Sequence, residues 1–223
     1  MTSDITGSNY SFSVLDGTPD HRNLRTSFFD RPHKVTLNGS LNMPFDTRVS
    51  LTYNGLSGTP FTYVVNGDIN ADGISGNDPV YVPRGASDIT TQTAAQFAAV
   101  DAFISGERCL RENRGRILPR NSCRNQWQNF LNARISKVIP TLTGQSIEIT
   151  ADMLNVLNFM NSHWGLTRVT GTGFENQNMI RLVGYDAVNQ RGIYSPFLPT
   201  KNQVTLNSLG SRWVFQLGAR YTF

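Results

Sequence analysis

Five segments of the chain alternate between apolar and polar residues, and this period of two predicts β-strands. In the first segment Val35, Leu37 and Leu41 share one face, and the residues between them are polar or glycine. The same alternation recurs in the other four segments. The five predicted strands cover residues 33–43, 47–56, 127–139, 146–157 and 211–223.

Short and very long connections alternate between these strands. Residues 44–46 and 140–145 predict tight turns, whereas 58–126 and 158–210 are long. Soluble β-sandwiches seldom carry such long loops on one edge only. Outer-membrane barrels combine short periplasmic turns with long extracellular loops, and strands of about eleven residues match their tilted span. The pattern predicts an all-β fold: an antiparallel membrane β-barrel fragment with about five transmembrane strands, two long extracellular loops and one short loop helix.

This prediction divides the chain into six parts. A partial helical spacing of Phe97, Val100 and Ile104 places the helix inside the first long loop. The parts are 1–32, an extracellular loop remnant; 33–57, a strand hairpin; 58–126, a long extracellular loop with a helix at 89–107; 127–157, a second hairpin; 158–210, a second long extracellular loop; and 211–223, the C-terminal strand.

Five strands cannot close a barrel, because the smallest known barrels have about eight. Open sheet edges are not tolerated in lipid. We therefore expect the chain to be part of a longer polypeptide, in which an upstream segment carries the export signal that residues 1–7 lack.

Composition narrows the classes of function. Charged residues make up only 16% of the chain, and no run of about 18 apolar residues predicts a transmembrane helix. The net charge of +4 comes without a basic and aromatic patch, which argues against a nucleic-acid partner. His21, His33 and His163 are scattered without ligand or triad spacing, so we expect no enzyme.

Several segments in order along the chain carry a family resemblance. They are Phe29–Val35, Ser57–Phe61, Gly67–Gly73 with Asn77 and Asp78, Asn155–Asn158, and Trp213–Phe223. From about residue 20 onward the chain resembles the C-terminal barrel region of TonB-dependent outer-membrane receptors. The resemblance is greatest to the Oar-like type, which carries a carboxypeptidase-regulatory-like N-terminal domain.

The resemblance implies a bacterial outer-membrane barrel of about 22 strands that is filled by a plug domain. The implied function is uptake of a bulky nutrient, with energy supplied by TonB through a plug that lies outside this chain. The implied partners are outer-membrane lipid, the barrel assembly machinery and the remainder of the same barrel.

The C-terminal strand is predicted to carry an assembly signal. An exposed strand edge with an aromatic last residue gives the assembly machinery main-chain and side-chain anchors. An amphipathic strand with interfacial aromatic residues is the alternative interpretation. The signal residues would be Trp213, Phe215, Leu217, Tyr221 and Phe223.

An acidic segment matches the start of a calcium loop, with oxygen-bearing residues at positions 1, 3, 5 and 7 and Gly73 at position 6. Pro79 stands where position 12 normally supplies a bidentate carboxylate. Either Asp78 or Asn77 would have to replace it. The alternative is an ordinary surface turn. The predicted calcium ligands are Asp68, Asn70, Asp72, the main-chain carbonyl of Ile74, and Asp78.

Cys109 and Cys123 are predicted to form a disulfide, because no histidine lies near them to complete a zinc site. An arginine cluster surrounds these cysteines. It either meets anionic lipid headgroups or pairs with local acids such as Glu107 and Glu112. The arginines are Arg108, Arg111, Arg114, Arg116, Arg120 and Arg124.

The polar faces of the strands carry charged residues that would line the barrel lumen. These residues are Lys34, Arg48, Arg134, Glu148, Asp152 and Arg220. The main functional alternative to nutrient uptake is a calcium-bearing extracellular binding or adhesion module without transport. The upstream sequence would separate the two hypotheses, since only the transporter needs a plug domain.

Overall fold

The computed structural model describes residues 14–18, 21–141, 144–170, 176–199, 205–206 and 208–223. The chain is mostly β, with 47% strand and 13% helix, which confirms the all-β prediction. It divides into two compact units. The core unit comprises Met1–Asp30, Thr59–Asn125 and Val169–Thr205, and the sheet unit comprises Arg31–Gly58, Gln126–Arg168 and Leu206–Phe223.

The elements of the two units are interleaved along the chain. In chain order they are β1 (Lys34–Met43), β2 (Thr47–Leu56), β3 (Pro60–Asn66), β4 (Tyr81–Val82), β5 (Thr90–Thr91), α1 (Ala94–Gly106), α2 (Arg108–Arg111), β6 (Arg116–Ile117), β7 (Cys123–Arg124), β8 (Gln128–Pro140), β9 (Ser146–Leu154), α3 (Val156–Met160), β10 (Arg168–Val169), β11 (Asn176–Asp186), β12 (Arg191–Pro196), β13 (Thr205–Leu206), α4 (Ser208–Ser211) and β14 (Val214–Thr222).

The sheet unit contains one five-stranded antiparallel sheet in the order β1-β2-β8-β9-β14. These are the five strands predicted from the alternation, and β2 has the predicted bounds. The predicted ends of two others are wrong. Strand β9 stops at Leu154, because Asn155 adopts a left-handed conformation (φ 55°) and α3 follows. Strand β14 starts at Val214 rather than 211, because α4 includes Ser211.

The core unit contains strands that the alternation pattern missed. Its sheet runs β5-β12-β11-β3-β7 and is mixed, because β11 pairs antiparallel with β12 but parallel with β3. Strand β3 is buried at six of its seven residues. A strand buried on both faces is a continuous apolar run, so period-two alternation does not reveal it.

The helix predicted at 89–107 begins later than predicted. Thr90 and Thr91 form β5 and pair with β12. The α1 helix starts at Ala94, where the Thr93 side chain caps it by accepting the Gln96 N–H at 3.3 Å. The predicted start is therefore wrong by five residues, and the pairing of β5 with β12 explains why.

A hydrophobic core holds the core unit together. Its buried members are Phe61, Tyr63, Val65, Val80, Val82, Val100, Ile104, Leu110, Leu118, Cys123, Met179 and Ile180. The predicted disulfide between Cys109 and Cys123 is present and joins α2 to β7. Closing a loop of this length stabilises the fold by about 3 kcal/mol.

Candidate functional sites

One face of the sheet unit's five-stranded sheet is apolar in rows that cross all five strands. Apolar side chains stand directly opposite one another, yet Leu41 is 66% exposed and Leu217 is 69% exposed. The central row consists of Leu41, Val49, Ile135, Ala151 and Leu217. A row of this kind normally packs beneath another layer of structure.

The opposite face of the same sheet is polar. Its register brings Arg134 beside Asp152, which form an ion pair at 3.2 Å, and places Arg220 opposite Glu148. The Arg48 guanidinium donates to the Asn42 amide oxygen at 2.9 Å. Strand register puts all the charged residues predicted for the lumen on this one face: Lys34, Arg48, Arg134, Glu148, Asp152 and Arg220.

The predicted assembly-signal residues lie on and around β14. Phe215, Leu217 and Tyr221 belong to the apolar face, because they stand opposite Met153, Ala151 and Ile147. Two aromatic residues flank the strand: Trp213 packs edge-to-face against Phe159 at 5.4 Å, and Phe223 is 94% exposed. Within the described sheet β14 pairs with β9 alone, so its other edge is available for main-chain pairing.

The acidic loop joins β3 to β4 in the core unit and curls around its own side chains. The Asp68 carboxylate accepts the N–H groups of Asp72 (3.2 Å) and Gly73 (2.9 Å). Asn70 Oδ1 accepts the Asp72 N–H at 3.0 Å, and Asp72 Oδ1 accepts the Ile74 N–H at 2.8 Å. Gly73 has φ of 85°, a left-handed conformation that suits glycine.

Asp78 closes this loop from a buried position. Its carboxylate accepts the Ile69 N–H at 2.8 Å. Burial raises the pKa of Asp78, the N–H groups of Ile69 and Asn70 oppose the rise, and the charges of Asp72 and Asp68 add to it. In the described part of the chain, no three His, Cys, Asp or Glu side chains form a metal-binding group. A cation here would therefore need amide and main-chain oxygens as well as carboxylates.

Each unit also has a cavity that the sequence did not predict. In the core unit a cavity of about 260 Å³ is lined by Ile69, Pro79, Tyr81, Ile180 and Tyr194, among others. Burial raises the pKa of Tyr194, and the nearby Asp78 charge contributes. Ligand pockets typically combine such apolar and aromatic walls with a few polar groups.

The cavity of the sheet unit is larger and more aromatic. It measures about 380 Å³, and its lining includes Tyr53, Trp127, His163, Trp164 and Arg168. These residues come from segments that are distant in the sequence, so no local motif could have predicted the cavity.

No known family model, curated protein or solved structure matches the chain. Among the described residues no helix is long and apolar enough to cross a membrane.

The arginines around the disulfide do not form one exposed basic patch. Arg120 is buried. Arg108 pairs with Glu112 at 2.8 Å, Arg114 with Asp101 at 2.8 Å, and Arg124 with Asp30 at 2.7 Å. This arrangement favours pairing with local acids over a shared anionic ligand.

Asp16 ties separate segments of the core unit together. Its carboxylate accepts from Arg25 Nε at 2.7 Å, Asn23 Nδ2 at 2.7 Å and the Arg120 N–H at 2.8 Å. Burial opposes ionisation, but the hydrogen bonds from Arg25, Arg120 and Asn23 outweigh it and lower the pKa of Asp16. The ionised carboxylate therefore stabilises the folded state.

We expect Asp16→Asn to destabilise the chain at pH 7 by roughly 1.5–3 kcal/mol, the range for hydrogen bonds to charged groups. Because the folded-state pKa is lowered, this contribution is present above the unfolded pKa of about 3.9. It is lost as the pH falls through the lower folded-state value. Urea unfolding of both proteins from pH 7 to low pH measures the difference. The exposed turn acid Asp46, changed to Asn, is the control, and a pH-independent difference for Asp16→Asn would contradict the prediction.

Proposed function

We propose that this chain is part of the outer-membrane β-barrel of a TonB-dependent receptor that takes up a bulky nutrient. The exposed apolar face of the five-stranded sheet carries the proposal. Removing a side chain such as Leu217 from water is worth about 1.5–3 kcal/mol, and the face presents many such side chains. A contiguous apolar surface of this extent indicates contact with lipid or with another protein.

The segregation of charge supports the lipid assignment. An arginine or lysine facing the middle of a bilayer costs about 2–4 kcal/mol, and an acidic residue costs less. The six predicted lumen residues all lie on the other face, where Arg134 and Asp152 pair. Lys137 is the exception, because it stands opposite Thr47 in a row of the apolar face. It lies near the end of β8, where a long side chain reaches the membrane surface.

Aromatic residues near both ends of β14 also support the proposal. Trp213 and Phe215 lie at its start, and Tyr221 and Phe223 lie at its end. Outer-membrane barrels carry aromatic girdles at both interfaces, separated by an apolar band. Between these two pairs the apolar face of β14 has Leu217 and Ala219, which fit such a band.

The core unit supports a receptor rather than a passive barrel. Its segments form a packed domain with a disulfide and a cavity of about 260 Å³. Ordered segments that connect barrel strands are well suited to bind a ligand, because binding residues commonly lie on loops held by a rigid scaffold.

Lipid contact can be tested by fluorescence quenching. Both native cysteines are in the disulfide, so Leu217→Cys and Gln216→Cys each offer one thiol for an environment-sensitive dye. The full polypeptide that contains this chain, labelled at one of these two positions, is reconstituted into phosphatidylcholine vesicles. We expect brominated lipid to quench the dye at 217 and aqueous iodide to quench the dye at 216. Equal quenching by iodide at both positions would overturn the membrane assignment.

The receptor assignment needs a separate test. A photo-crosslinking residue in TonB should capture the full polypeptide that contains this chain in energised cells. Absence of this crosslink, with lipid quenching intact, would leave a membrane barrel but overturn the TonB-dependent function.

A further inference from the structure

We propose that the loop from Asp68 to Asp78 in the core unit binds a calcium ion. This inference does not depend on the membrane assignment, because the loop belongs to a unit with its own packed core. The proposed ligands are the side-chain oxygens of Asp68, Asn70, Asp72 and Asn77 and the main-chain carbonyl of Ile74.

The loop already directs oxygen atoms toward its own interior. Asp68, Asn70 and Asp72 each accept loop N–H groups, which holds their side chains inside the turn. A carboxylate has about four lone-pair sites. Asp68 accepts two hydrogen bonds and Asp72 accepts three, so each keeps capacity for a cation. Oxygen ligands at alternate residues followed by glycine are the arrangement with which calcium loops wrap the ion.

Asn77 supplies an independent indication that points to a ligand. The side chain is only 1% exposed, and its Oδ1 atom has no hydrogen-bond partner. Its Nδ2 atom donates to Asp72 Oδ2 at 3.0 Å, so the carboxamide lies against the acidic loop. A buried polar oxygen without a partner costs about 1–3 kcal/mol. That cost is removed when the carboxamide turns over, so that Oδ1 faces the acidic loop and coordinates a cation there.

The geometry at Asn77 suits a shared ion. A half-turn of the carboxamide brings Oδ1 to the position that Nδ2 occupies, 3.0 Å from Asp72 Oδ2. Two oxygens that neighbour each other on one calcium ion lie about 3 Å apart, since each bond is about 2.3–2.6 Å long.

Charge also favours a cation at this loop. The carboxylates of Asp68, Asp72 and Asp78 are close enough to influence one another, and none has an ion-pair partner among the described residues. Their mutual repulsion is relieved by a dication between Asp68 and Asp72. Asp78 is not a proposed ligand; its carboxylate holds the loop in place by accepting the Ile69 N–H.

The ligand chemistry selects calcium. All candidate donors are oxygens, which excludes soft metals that prefer sulfur or imidazole. Magnesium demands a near-ideal octahedron, whereas calcium accepts six to eight oxygens in irregular arrangements. Pro79 stands in place of the bidentate carboxylate of a tight site, so the affinity matches extracellular sites with Kd of about 10⁻⁴–10⁻³ M.

Calorimetric titration of the chelator-treated full chain with calcium chloride tests the site. We expect a saturable heat in that range, no comparable heat with magnesium, and a Kd on the order of tenfold weaker for Asp72→Asn, because ligand charge sets affinity. Asp186→Asn is the matched control: this carboxylate at the end of β11 also accepts two main-chain N–H groups, from Val188 and Asn189. It should leave the Kd unchanged.

A second variant keeps the test decisive if Asp72→Asn fails to fold. Asn77→Asp places a charge at the buried oxygen, so it should tighten calcium binding several-fold and lower the melting temperature in EDTA. The proposal is overturned by any of three results: no saturable heat at about 10 mM calcium, equal weakening by Asp186→Asn, or an unchanged Kd in Asn77→Asp.

Discussion

Under the proposed lipid contact, Leu217→Arg should destabilise the folded polypeptide that contains this chain by about 2–4 kcal/mol in a phospholipid bilayer, the cost of an arginine facing the middle of the membrane. Leu217 lies on the central apolar row of the sheet, opposite Ala151, and is 69% exposed. Because the described strands place no acidic residue on that face, the guanidinium would have to be solvated by lipid. Urea titration in vesicles, followed by tryptophan fluorescence, measures the loss.

Gln216→Arg is the matched control for this prediction. Gln216 is adjacent in β14 but faces the other side of the sheet, directly opposite Asp152. An arginine there meets an acid and should change the free energy of unfolding by no more than about 0.5 kcal/mol. Equal losses in Leu217→Arg and Gln216→Arg would show that the two faces share one environment, and would contradict the lipid contact.

Leu118→Ala should lower the free energy of unfolding by about 2–5 kcal/mol, the range for removing a large buried aliphatic side chain. Leu118 is fully buried in the hydrophobic core of the core unit. Its main-chain N–H donates to the carbonyl of Val80 at 2.9 Å, which fixes the backbone so that the site cannot easily collapse. Chemical denaturation of the full chain, followed by loss of near-ultraviolet circular dichroism, measures the effect.

The neighbouring residue provides the control. Ile117 is 63% exposed, so Ile117→Ala should change stability by no more than about 0.5 kcal/mol. If Leu118→Ala had as little effect as Ile117→Ala, the segments between the sheet strands would be poorly packed loops. The core unit would then not be a cooperative domain.

The sequence predicted the strands of the sheet unit well because each strand has two unlike faces. In β2 the apolar Val49, Leu51 and Tyr53 alternate with polar residues, and the predicted bounds match the observed ones. The strand ends were less predictable. Asn155 ends β9 through a left-handed conformation that its side chain stabilises by donating to the Gly165 carbonyl at 2.8 Å. That contact joins residues ten positions apart and has no periodic signature.

The core unit was less predictable because its strands pair across long sequence distances. Strand β11 lies in the predicted loop 158–210. It pairs in parallel with β3, which lies in the predicted loop 58–126. Neither strand alternates, since β3 is buried on both faces and β11 is irregular between Asn178 and Ile180. Propensity alone cannot place such strands, because tertiary packing decides their pairing.

Two features of the core unit were predictable from sequence, and one was not. The Asp68–Gly73 spacing and the cysteine pair are local chemical patterns, and the disulfide is present. The importance of Asn77 depends on its burial, and its main-chain carbonyl accepts the Leu15 N–H at 2.9 Å. Leu15 comes from a distant part of the chain, so sequence reasoning could name Asn77 only as an alternative to Asp78.

The parallel pairing of β11 with β3 restricts the order in which segments of the chain can fold during synthesis. During synthesis the β1–β2 hairpin and the disulfide-bearing segment can form early, since their partners are close in sequence. The sheet of the core unit has to wait for β11, and non-local parallel pairing is intrinsically slow. Until then the apolar side chains of β3 lack their neighbour. A chaperone that shields this strand would prevent its aggregation during the delay.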